Sequence, residues 1–573
     1  MKINRNEMKK LILFFIILMT NQLLVAQSIN VPMGNQSYHF VDRLEIKSGK
    51  FAPFHTTHKY YQRGELAQWA LSLDTLNELA WSDALDLKYI YNDNNQYLGE
   101  TPYSSNEHSK YEKTSKPFLK YFLKSPARFY EYAKKDFSVT YDPIISIAGG
   151  QESTETAKSG YFHRNYGAQI SGEINDRVHF YSNILMNFDR HQPQTRRYRE
   201  EHLSIPGQGY YKGPYTFAGV DSIYDNISAQ GYIDFKVTES INFQFGHGRN
   251  FIGNGMRSLL LSDFADNYLY LKMNTKVGIF DYQNLFAEMR QLSTSQTATG
   301  ELVKKYYAAH HLSLNLSDQL NIGIFESLII NRQNGFELNY LNPIIFYRSV
   351  ERSLDSPDNA MIGLDFKWNV AKRFQFYGQM VIDELYASRV LSEPGLWTHK
   401  FGNQLGIKYI DAFGIDHLDL QFEYNGVRPY TYSHVDSSTS YSHFSQPLAH
   451  PLGANFREFI GIVRYQPTPK LILKLQMMQA QTGLDTLGSN WGSDIFASYY
   501  TRENSDNVKV GQGVETDIFL LDFQASYMLL HNMYADLKFQ YRTQNSEFDG
   551  HDYNHTFVSL GFRYNFWSKP AIY

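Results

Sequence analysis

The chain has 573 residues, no cysteine, 16% aromatic and 20% charged residues, and a formal net charge of −4. The missing cysteine excludes disulfide scaffolds, thiolate zinc sites and cysteine nucleophiles, and the charge offers no basic footprint for nucleic acid. A mean hydropathy of −0.43 excludes a polytopic helical membrane protein, but not a membrane β-barrel, in which only alternate residues face lipid.

In chain order, Lys2, Arg5, Lys9 and Lys10 precede an apolar stretch over 11–26 that ends on Leu24, Val25 and Ala26. This pattern predicts a secretory signal peptide over 1–26, since the run is shorter than the roughly 20 residues of a membrane span. Secretion, the periplasm and an outer-membrane barrel remain as destinations.

Residues 27–135 read as a small, mainly helical N-terminal region. Leu66, Trp69, Leu73, Leu76 and Ala80 recur at spacings of three and four, the period of one helical face. A second helical stretch is predicted where Ser125-Pro126 reads as a helix start, with Phe118, Phe122, Phe129 and Ala133 as its apolar side. So sparse a core predicts a region that packs against something larger, as a plug or a periplasmic cap.

From 136 to 573 the period changes to two. In 417–424 the even positions Leu418, Leu420, Phe422 and Tyr424 are apolar or aromatic, and Asp419, Gln421 and Glu423 lie between them. Adjacent side chains on a strand point to opposite faces. Residues 533–542 alternate likewise, and short turns at Asn175-Asp176-Arg177 and Thr238-Glu239-Ser240 make a meander of hairpins. A soluble sandwich and an outer-membrane barrel both use this pattern. Strands near the 9–11 residues of a tilted membrane strand, charged inward positions and abundant tyrosine favour the membrane. The last strand agrees, with Val558, Leu560, Phe562, Tyr564 and Phe566 on one face. The predicted fold is therefore all-β, a large transmembrane antiparallel β-barrel, with outer-membrane lipid as its first partner. Long polar stretches over 189–228 and 485–516 are predicted as cell-surface loops, with the short turns in the periplasm.

The chain has no HExxH, Walker A or GxSxG motif, and Gly246, Gly248, Gly253 and Gly255 miss the dinucleotide spacing. Close backbone approach or a bent strand accounts better for these glycines. Asp383-Glu384 and Glu200-Glu201 are adjacent carboxylates that a strand would point apart, so the chain reads as non-enzymatic, without cofactor or metal. His55 and His58, and His434, His443 and His450 beside Asp436, read as hydrogen-bonding loop histidines before metal ligands. Two stretches depart from alternation and concentrate charge: Arg249, Arg257 and Asp263 in one, Arg348, Arg352 and Asp358 in the other. A lumen polar network that braces the barrel explains them best, with a sugar-binding surface as the alternative. Ligand contact is assigned instead to His434, Tyr441 and His443.

The runs FGHGRNFIGNGMRSLLLSD over 245–263 and YLNPIIFYRSVE over 340–351 resemble the capsule-assembly Wzi family and its Bacteroidetes relatives named RemB, a gliding motility protein. DNAMIGLD over 358–365, EYNGVRPYTYSH over 423–434 and PLAHPLGAN over 447–455 are similar to the RemB branch. The resemblance implies an outer-membrane barrel of about 18 strands with a periplasmic helical element, and a role in surface polysaccharide handling or gliding. Surface polysaccharide and gliding machinery proteins are the implied partners. A porin-like channel for oligosaccharides or other solutes stays open as the alternative.

Overall fold

The computed structural model describes residues 28–74, 83–98, 116–134, 136–155, 157–175, 177–292, 302–331, 335, 337–344, 346–354, 358–485, 488–547 and 552–567. The expected leader, Leu76 and Ala80 lie outside the described residues.

Eighteen strands form a closed antiparallel ring that starts at Phe137–Thr154 and ends at Tyr553–Tyr564. Pairing of Ile145 with Tyr564 through Thr154 with His555 closes it, so the wall has no free edge. Each ring strand pairs with the next in the chain, and connections alternate between two rims. One rim carries turns such as Gly278-Ile279, between Tyr268–Val277 and Phe280–Gln291. The other carries the long segments 249–267, 331–358, 428–455 and 485–513.

Alternation decides the faces. On Leu418–Val427, Phe422 is 49% exposed on the outside, whereas Asp419, Gln421, Glu423 and Asn425 are buried inside. Ile147, Leu364, Trp368 and Leu560 are also exposed on the outer face. Each such side chain left in water forgoes roughly 1.5–3 kcal/mol of burial. An apolar band around the whole wall is what hydrocarbon, not water, solvates.

Helices α1 (Ser37–Ser48), α2 (Arg63–Asp74) and α3 (Asp83–Asp93) sit at the short-turn rim around Leu44, Leu66, Trp69, Ala70, Leu87 and Ile90. Two expectations need correction. Residues 122–134 are not helical: Phe122–Ser125 and Arg128–Lys134 form a hairpin around Pro126-Ala127 that extends the first ring strand. Its aromatics meet edge to face across the pair, Phe122 with Phe129 at 5.3 Å and with Tyr130 at 5.1 Å, and such pairs stabilise a sheet. Nor is 189–228 all loop. It holds helix α4 (Pro193–His202) and a hairpin of Tyr211–Phe217 with Val220–Lys236, whose tip is exposed on both faces and so shows no alternation.

Candidate functional site: the occupied lumen

The plug is tied to the wall by inward polar residues. Arg43 of α1 is fully buried and donates to Asp419 at 2.5 Å, Asp411 at 2.9 Å and Asp86 of α3 at 3.0 Å. Lys47 bridges Asp83 and Asp411 at 2.5 and 2.6 Å. Wall lysines answer acids of the same helix, Lys367 to Glu45 at 2.8 Å and Lys408 to Asp42 at 2.6 Å. At the far side of the rim, Asn532 donates to Asp93 of α3 at 2.8 Å and accepts from the Tyr89 hydroxyl at 2.7 Å. Burial alone would raise the Asp93 carboxyl, but the Arg63 charge, the His531 hydrogen bond and Arg128 hold it well below the usual carboxylate range. Burial pushes Lys59, in the same region, down to about 7.

From the long-loop rim, segments 249–267 and 428–455 fold back into the barrel. The first reaches the plug: Gly253 N donates to Thr57 O at 2.9 Å and Lys59 N to Phe251 O at 3.1 Å. Leu259, Leu260 and Leu261 pack with Tyr307, Phe325, Val381, Tyr432, Tyr441 and Leu448 in an apolar core inside the ring. Because 249–267 forms no strand and 428–455 only the two-residue pair Ser442–His443 with Gln446–Pro447, wall side chains satisfy backbone groups that a larger sheet would pair. Glu423 accepts from Met256 N at 2.7 Å and Arg257 N at 3.0 Å, and Gln379 accepts from Leu259 N at 2.7 Å. Gly253 and Gly255 permit this approach: a Cβ on Gly253, which has φ +150°, would meet Gln379, and one on Gly255 would meet Glu423.

The charged residues singled out in the sequence separate into distinct places. Arg257 pairs with buried Glu458 at 2.9 Å, and Glu458 also faces His450 at 2.7 Å and accepts from Asn425 at 2.9 Å. Arg249 donates to Asn267, Asp263 O and Gly207 O at 3.1, 3.1 and 2.9 Å, so it folds its own segment and ties it to the stretch after α4. The Asp263 side chain lines a lumen cavity. Asp358 accepts from the Tyr340 hydroxyl at 2.9 Å, away from the Arg257 cluster. Arg348 stands exposed on α5 (Tyr347–Leu354), where its backbone donates to Glu326 at 3.0 Å; the Arg352 side chain lies outside the described residues.

Tyr441 is fully buried; its hydroxyl donates to Leu260 O at 2.6 Å and meets the Tyr307 hydroxyl at 2.9 Å. His443 accepts from Arg290 N at 3.0 Å and contacts Asn267 O at 3.2 Å. His434 is half-buried, beside Thr439 at 2.9 Å and edge-on to Tyr499. Burial pushes the His434 imidazole down to about 4, and burial with the Lys305 charge pushes His443 to about 3. His58 meets the wall's His311 at 2.6 Å, and His55 meets Ser313 at 2.7 Å. Asp383 and Glu384 depart from expectation: a bulge after Ile382 brings both to one cation, Lys400, at 3.4 and 3.3 Å. Glu200 and Glu201 lie on α4 and pair with Arg199 and Arg197.

Sequence reasoning placed Asp419 and Glu423 at polar positions of an alternating strand without giving them a role at the site, and passed over Arg43, Glu458 and Gln379. A signal existed for the wall residues, which occupy inward parity on alternating strands. Arg257 stood out as charge in a non-alternating stretch, but nothing local tied it to Glu458 or Arg43 to Asp419.

No protein-family model and no curated protein matches the chain. Among solved structures it is similar to Wzi, described as an outer membrane protein involved in group 1 capsule assembly in Escherichia coli and a carbohydrate-binding β-barrel. That likeness has 13% identity and a TM-score of 0.56, and covers 95% of this chain and 100% of Wzi. OccK8 (OprE) of Pseudomonas aeruginosa matches at 10% identity and a TM-score of 0.40, over 74% of this chain and 98% of its own. What is shared with Wzi is the fold, that of an outer-membrane β-barrel.

Proposed function

We propose that the protein is a non-enzymatic outer-membrane barrel that attaches or assembles surface polysaccharide, or serves gliding motility, with the short-turn rim in the periplasm and the long loops outside. The lumen contents carry this reading. Folded, hydrogen-bonded segments enter the ring from both rims, and a wide pore has no use for a two-sided filling tied down by Arg43 and Glu423. Wzi, of like fold, is described as carbohydrate-binding. His434 is the loop position offered for glycan contact, with Tyr441 and His443 holding the segment that carries it. A leader over 1–26 would deliver the chain for export. A deletion strain scored for capsule retention and for gliding tests the role: loss of either supports it and assigns the branch, and loss of neither sinks it.

A second reading, a conduit for small saccharides or other solutes, is favoured by one observation. A cavity of about 670 Å3, with lysines, arginines, aspartates and amides among its lining residues, runs beside the plug. Intact protein in planar bilayers should show no large, steady conductance; if it does, the conduit reading wins.

A further inference from the structure

The cavity extends from Ile410 and Trp567 toward the short-turn rim to Asp189 and Gly207 near the long loops, and its size suits a small-molecule ligand. Its described lining carries eight lysines and arginines against five aspartates, in a chain that is net negative. Asp42 pairs with one of those cations, Lys408, and Asp419 is held by Arg43 and His39 of the plug.

The excess is concentrated on one rung of the wall. Arg464 stands directly opposite Lys474 on one side and, on the other, Asp419, which Arg43 and His39 already hold; Lys474 stands opposite Gln524, and Gln524 opposite Lys538. Like charges directly opposite on neighbouring strands repel. The Lys474 side chain has no hydrogen bond or ion pair among the described residues, and Arg464 is its neighbour on the next strand. Asp522 already faces Lys538 at 3.1 Å. Arg464 donates to the neutral amide of Gln421 at 3.3 Å. Lys538 has Asp522, but Arg464 and Lys474 stand side by side, half-buried and turned into the cavity, without an acid of their own.

We propose that this rung binds an anion: a carboxylate or phosphate group of a small ligand held in the cavity, with Lys474 and Arg464 as its contacts and Lys538 beside them. The site does not rest on the glycan reading, which cell assays decide separately.

Full-length protein in detergent, with folding verified by heat-shifted gel mobility, is titrated calorimetrically with inorganic phosphate, D-glucuronate and D-glucose at matched ionic strength. One of the anions binds and glucose does not; tighter glucuronate assigns a sugar acid, and tighter phosphate assigns a phosphate-bearing ligand. Lys474→Gln weakens that binding by about tenfold or more, whereas Lys474→Arg keeps it. Arg464→Gln serves as a second variant should Lys474→Gln fail to fold. Glucose binding as well as the anions, no binding by any of the three, or parent-like affinity in the folded Gln variant would overturn the proposal.

Discussion

The outer wall and the lumen are built from the same strands under opposite rules. Along Leu418–Val427, Phe422 points to lipid and its neighbours Gln421 and Glu423 point inward, one to the Tyr377 hydroxyl and the other to the amides of Met256 and Arg257. Hydrocarbon is indifferent to which apolar residue meets it, because apolar burial is non-directional. Hydrogen bonds have directions, and a buried donor or acceptor left without its partner costs the full desolvation of that group. The outside therefore requires only a composition, and the inside requires particular residues.

The sharpest way to break this contrast is to remove one lumen partner. Arg257→Ala leaves Glu458 with His450 and Asn425 but without its guanidinium, and breaking so buried a pair costs about 3–5 kcal/mol. Limited proteolysis should then cut within 249–267 while the strand circular dichroism holds. Strands and inner loop melting together would mean the two regions are not separable.

On the outer face, Phe422→Arg should cost about 2–4 kcal/mol if the position lies near mid-membrane, whereas Phe422→Leu should be tolerated. The yield of heat-resistant folded barrel on gels reads both. Equal loss in the two variants would point to a packed protein contact outside the wall instead of lipid.

Acid sharpens the comparison, because the histidines His55, His434 and His443 lie inside the ring or on its rim. Burial pushes His55 and His434 to about 4, and His443, aided by Lys305, to about 3. They stay neutral when folded, while a released segment takes up protons below about 6.5. Stability of the inner segments should thus fall from about pH 6.5 toward 4. The Asp93 carboxyl, held low, contributes fully above about 3.9 and loses its contribution only at lower pH. Protease resistance of 428–455 at pH 7.5 and 4.5 measures the difference; unchanged resistance would remove the histidines from the account.

The smallest effect belongs to Tyr441→Phe, which deletes hydrogen bonds to Leu260 O and the Tyr307 hydroxyl and keeps the ring packing. About 1 kcal/mol is expected, as a modest drop in the melting temperature of the inner segments. A loss several times larger would show that the stack of Tyr441 on Tyr432, 5.7 Å apart, depends on the hydroxyl for its position.

The amino-acid sequence by itself determined the wall. Period-two alternation from 417 to 424 and from 533 to 542 assigned lipid and lumen faces, since successive strand residues face opposite ways whatever the rest of the chain does. It also separated a helical stretch around Leu66, Trp69 and Leu73 from the barrel, and marked 245–263 as irregular and charged. The hairpin at 122–134 escaped because Pro126 serves a turn as well as a helix start, and only the open side of the first ring strand supplies its pairing partner. The Arg43 clamp, the seating of 249–267 on Gln379 and Glu423, and the burial of Tyr441 were decided by tertiary structure alone. Each joins residues more than 100 positions apart, and no local period records which distant carboxylate a buried arginine or a loop amide will meet.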